Sequence, residues 1–131
     1  MDTAADTFTQ VILETGPDGR ARFVERRVPL TEGTSMSRLS AVMPSGGLQL
    51  RRSPAGFASS MHCTTRPQWL FVLEGRMEIG LPDGSMRVFG PGQHFYSADT
   101  LPPGAVFDPA VHGHCSRALD DAPLVTAFVR S

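Results

Sequence analysis

Glycine and proline interrupt this chain too often for helices. Only one stretch longer than ten residues, Met1 to Thr15, contains neither. Glycine in a helix interior costs about 1 kcal/mol relative to alanine, and proline about 3. Helices of ordinary length therefore have no room after Thr15. Short runs between turn residues remain, the pattern of an all-β domain.

The runs can be followed along the chain. Thr9 to Glu14 is apolar and β-branched, and Pro17-Asp18-Gly19 turns it into Arg20 to Leu30. Met36 to Met43 and Phe57 to Thr64 alternate and are expected as strands, with the short Leu48 to Arg52 between them. Gln68 to Leu73 is the most apolar run and is expected near the middle of a sheet. Arg76 to Leu81 and Ser85 to Phe89 flank Pro82-Asp83-Gly84, a hairpin signal. Gln93 to Ser97, His114 to Leu119 and Pro123 to Val129 complete about ten strands, and Asp99 to Gly113 reads as a long loop. The expectation is a sandwich or small barrel with little or no helix, and a jelly roll fits the count. The 131 residues suit one domain. Residues 1–33 are expected to form N-terminal edge strands or an arm, and 34–131 the barrel.

Composition excludes several functions. The chain has no Lys, which removes a Walker phosphate loop, a lysine Schiff base and a Ser–Lys dyad. It has no Asn and hence no N-glycosylation site. A net charge of −1 argues against broad nucleic-acid binding. No run of apolar residues is long enough to span a membrane. Met1 to Gln10 carries Asp2 and Asp6 and no basic residue, so it does not read as a secretory signal and a cytoplasmic protein is expected. Cys63 and Cys115 are then expected as free thiols.

Gly56 to Gly75 resembles the first motif of the cupins, the jelly-roll superfamily of double-stranded β-helices. Five residues separate Gly56 from His62, Cys63 and Thr64 follow, then three residues, Gln68, six more and Gly75. The spacing matches that motif, with Thr64 in place of its second His and Gln68 in place of its Glu. Pro91-Gly92 followed by QHFYS resembles the opening of the second motif, whose closing His is His114 or His112. Ala118 stands where that motif ends on Asn. The likeness runs from Ser35 to Arg130 and is to small single-domain bacterial cupins.

The resemblance implies a metal-dependent enzyme acting on a small organic molecule, of the dioxygenase, isomerase, lyase, decarboxylase or cyclase type. It implies a divalent ion (Fe, Mn, Zn or Ni) held by His62, Gln68 and His114. The alternative is a non-catalytic barrel that binds a small ligand or a metal at a degenerate site, or binds no metal at all. Strand alternation places Ser60, His62 and Thr64 on one face and sends Cys63 and Cys115 to the other. Leu70 and Val72 share the face of Gln68, and Phe95 and Phe107 are candidate pocket walls. His94, Tyr96 and His112 are candidate proton carriers. Arg51, Arg52 and Arg117 are candidate clamps for an anionic substrate. Asp99 is expected to cap the loop that follows it, and that loop to cover the mouth of the barrel. Trp69, Phe71 and Leu73 form an apolar outward face. A homodimer is expected, with that face and Thr9 to Glu14 as its contacts.

Overall fold

The computed structural model describes residues 6–131. These residues form eleven strands in chain order and no helix: β1 (Thr7–Thr15), β2 (Ala21–Pro29), β3 (Glu32–Thr34), β4 (Ser37–Leu39), β5 (Leu48–Ser53), β6 (Gln68–Glu74), β7 (Met77–Gly80), β8 (Met86–Phe89), β9 (His94–Ala98), β10 (Cys115–Ala118) and β11 (Leu124–Arg130). Six of them make one sheet in the order β2-β1-β9-β6-β11-β5, three make a second in the order β10-β7-β8, and β3 and β4 form a separate small hairpin.

Local chemistry explains the turns. At Pro17-Asp18-Gly19 the Arg20 amide donates to Asp18 Oδ1, and Gly19 takes a φ of +81°. At Pro82-Asp83-Gly84 the Asp83 carboxylate accepts from both the amide and the hydroxyl of Ser85. Asp at such positions imitates a backbone turn, and glycine supplies the positive φ.

The core lies between the two larger sheets. Leu13 from β1, Val72 from β6, Ile79 from β7 and Phe95 from β9 are its fully buried side chains. The apolar β6 occupies an interior place in the six-stranded sheet, as its sequence led us to expect. Its alternation splits it: Leu70 and Val72 enter the core, while Trp69 and Phe71 face outward with their rings stacked nearly parallel.

Two expectations are corrected. Met36 to Met43 is not a strand. Only Ser37–Leu39 pairs, with Glu32–Thr34, and the rest joins no ladder, although Met43 lines a depression with Phe8, Trp69 and Phe71 on the outer face of the large sheet. Phe57 to Thr64 is also not a strand. It touches the β10 segment through two isolated bridges, Ala58 to Arg117 and His62 to His114. The N-terminal strands lie at one side of the six-stranded sheet, with β2 as its edge. β1 lies between β2 and β9, parallel to β9, and contributes Val11 and Leu13 to the core.

Candidate functional site

His62 and His114 are brought together by their backbones. The His62 amide donates to the His114 carbonyl and the His114 amide to the His62 carbonyl, each at 2.9 Å. Gly113 permits this approach. Its φ is +83°, and a Cβ there would lie 2.6 Å from the His62 carbonyl oxygen, closer than any side chain allows. The imidazole rings end side by side, with centroids 4.8 Å apart and planes inclined at 56°.

Each ring is fixed by a second partner. His62 Nδ1 lies 2.9 Å from the Ser60 carbonyl oxygen, which can only accept, so Nδ1 carries the hydrogen. His114 Nδ1 lies 2.9 Å from Asp99 Oδ2, and both side chains are buried. In the neutral imidazole this leaves an unshared pair on each Nε2.

Asp99 does more than cap a loop. It is 1 % exposed, and the Thr15 hydroxyl lies 2.8 Å from its Oδ1. Its main-chain oxygen accepts from the Thr64 amide at 2.7 Å. One residue thus orients His114 and ties together β1, the end of β9 and the His62 segment. Alternation was the signal that could have found it: Phe95, Ser97 and Asp99 follow at spacing two and all are buried.

The paired histidines border a cavity of about 240 Å3 inside the barrel. Gln68 and Thr64 reach the same cavity, as do Leu70 and Phe95. Thr64 Oγ1 and Ser97 Oγ are 2.6 Å apart on its wall. Cys63 also lines it, against the expectation that alternation would point it away, because this segment is not a regular strand. Burial pushes the Cys63 thiol up, and the Asp99 charge adds to the shift, so the thiol stays protonated and poorly suited to bind metal. Cys63 and Cys115 are both free.

Other candidates lie elsewhere. His94 and Tyr96 alternate with Phe95 and Ser97 and therefore stand on the outer face of the large sheet, beside Trp69. His112 belongs to the loop: its Nδ1 accepts from the Asp108 amide, and its ring lies near Gly19. Phe107 is beside it and exposed. Val72 is sealed in the core, and Ser60 contributes only its carbonyl oxygen. No residue from 100 to 113 lines the cavity, because the loop packs toward the Pro17–Gly19 turn instead of over the barrel. Arg52 does not line it, and Arg117 is engaged by Glu78 through two hydrogen bonds.

The donor set fits part of a metal shell. Two imidazoles with Nδ1 committed to acceptors and Nε2 free are the arrangement that outer partners impose on metal ligands. Gln68 lines the same cavity, and its amide brings no charge. Among the described residues, no three His, Cys, Asp or Glu side chains gather to hold a metal ion. An ion bound here would keep several open positions and would be held less firmly than by a carboxylate-containing set.

Fold and site together define a jelly-roll β-barrel with a histidine-bordered internal cavity. No family model and no curated protein matches the chain. Solved structures that resemble it include cupin domains. The cupin domain of Schizosaccharomyces pombe Cnp3 is 12 % identical, with 96 % of this chain and 83 % of that one covered at a TM-score of 0.48. The CENP-C cupin domain of Drosophila melanogaster is 13 % identical, with 100 % and 83 % covered at a TM-score of 0.44. The polyketide cyclase RemF from Streptomyces resistomycificus is 17 % identical, with 99 % and 77 % covered at a TM-score of 0.44.

Proposed function

We propose that the chain is a metal-dependent enzyme acting on a small organic molecule in the barrel cavity. One observation carries this reading: two adjacent imidazoles, each with Nδ1 spent on a fixed acceptor, leave both Nε2 atoms unengaged at a cavity. His62 and His114 would hold a divalent ion, with the Gln68 amide oxygen as third donor. Such an ion supplies Lewis-acid polarisation of a substrate oxygen.

The protein's own groups divide the remaining work. Asp99 and the Ser60 carbonyl hold the two rings in orientation. The Thr64–Ser97 hydroxyl pair offers a hydrogen bond to the substrate. Leu70, Ile79 and Phe95 form dry walls, which strengthen polar contacts made between them. His94, Tyr96 and His112 stand outside the cavity and both of its imidazoles would hold the ion, so the Thr64 and Ser97 hydroxyls are the groups left there to relay a proton.

A non-catalytic barrel that binds a small ligand is the second reading, favoured by the uncharged donors Thr64 and Gln68. Elemental analysis of untagged protein distinguishes them. About one ion per chain is expected in the wild type, and loss of most of it in His62→Ala and in His114→Ala. Metal-free wild type would defeat the enzyme mechanism, and metal content indifferent to both substitutions would defeat the assignment of the two ligands.

A further inference from the structure

The histidine cavity does not open onto neutral surface. A second, larger depression of about 530 Å3 adjoins it and shares Arg51, Thr65, Gln68 and Phe128 with it. Arg66 and Arg130 complete its cationic wall. No Asp or Glu lines either space.

Three arginines gathered on one depression repel one another unless carboxylates offset them, as they offset several other arginines of this chain. Arg22 is held by Glu14, Arg76 by Asp120 and Arg117 by Glu78. Among the described residues, Arg51, Arg66 and Arg130 form no ion pair. Arg51 lies over the Phe57 ring, its guanidinium carbon 4.7 Å from the centroid. Arg66 Nη2 is 3.4 Å from the Ser131 main-chain oxygen. These contacts place two of the guanidinium groups at the depression. Guanidinium groups are suited to planar or tetrahedral oxyanions, which they grip through paired N–H donors.

We propose that the small molecule entering the barrel is an organic oxyanion, its carboxylate or phosphate held by Arg51, Arg66 and Arg130 while its other end reaches His62 and His114. The inference rests on reading the barrel cavity as the substrate site. It replaces the clamp expected from sequence: Arg51 remains, Arg117 is occupied, and Arg66 and Arg130 take its place. Gln68 stands between the two spaces and belongs to both.

Calorimetric titration with benzoate, phenyl phosphate and the neutral benzyl alcohol tests it. Wild type is expected to bind one or both anions and not the alcohol. Preference between the anions tells carboxylate from phosphate. Arg51→Gln, Arg66→Gln and Arg130→Gln should each weaken binding about three- to tenfold, and the triple variant should lose it. All three arginines are exposed, so melting curves of the variants should stay close to wild type and confirm that the fold is kept. Absence of anion binding in wild type, equal binding of benzyl alcohol, or unchanged binding in the triple variant would overturn the proposal. Metal content measured on the same samples separates the two readings. Arginine-dependent anion binding by a protein that takes up no metal would sink the metal mechanism alone. Full metal content with anion binding indifferent to the arginines would sink the oxyanion clamp alone.

Discussion

His94 sits among the rings of Phe8, Trp69 and Phe71 on the outer face of the large sheet, where its Nε2 accepts from the Val11 amide at 3.3 Å. Burial holds its pKa below the ordinary histidine value of 6.5, and the Arg87 charge pushes the same way. A proton on Nε2 would also abolish the Val11 bond. As pH falls below 6.5 the unfolded chain takes up this proton before the folded one does. The stability contributed by neutral His94 is therefore complete above that value and drains away below it. Urea unfolding between about pH 7 and pH 5 should show the midpoint falling with pH, and His94→Gln should flatten the slope. A variant whose slope equals that of wild type would disprove this. At this scale the sequence is unevenly informative. The motif resemblance pointed to His62, to Gln68 and to His114 or His112, and His62, Gln68 and His114 border one cavity. Cys63 was misplaced because its segment departs from strand geometry. The role of Asp99 depends on His114, fifteen residues away, and on Thr15 at the other end of the chain.

At the scale of elements, the site hangs on one bridge between two irregular segments. Gly113 allows it through a positive φ and a space that admits no Cβ. Gly113→Ala adds a left-handed backbone penalty of about 1–2 kcal/mol, and its methyl must push the His62 backbone away. The expected outcome is a Tm lower by several degrees together with loss of metal beyond what destabilisation explains. An alanine variant with wild-type melting and metal content would show that the bridge tolerates displacement. Elements with a strong local signal matched their expectation. β1, β2 and the β7–β8 hairpin begin and end near their Gly, Pro and Asp turn residues. Met36 to Met43 and Phe57 to Thr64 carried alternation too, yet a strand also needs a neighbour that takes its hydrogen bonds. Alternation records which residues would face inward, and it is silent about whether a ladder partner exists.

At the scale of the whole molecule, the six-stranded sheet has β2 and β5 as its edge strands among the described residues. β5 carries Leu48 at 67 % exposed and Leu50 at 68 %. An edge of that kind is a template for pairing with another chain unless charge or a bulge blocks it. Sedimentation velocity should therefore show self-association that grows with concentration, and Leu48→Lys should shift the protein toward the monomer. A wild type that stays monomeric at the highest concentrations tested would rule this out. The sequence by itself determined the class of fold. Gly and Pro forbid long helices, and turn chemistry acts over a few residues, so the strands and most of their limits follow from local rules. It also determined which side chains could serve as donors, since lysine is absent altogether. Only the tertiary structure decided which of them meet. The buried Asp99–His114 contact, the exclusion of His94, Tyr96 and His112 from the cavity, and the gathering of Arg51, Arg66 and Arg130 depend on sheet order and on where a strand gives way to a loop. Those are fixed by packing between residues far apart in the chain, which no local pattern encodes.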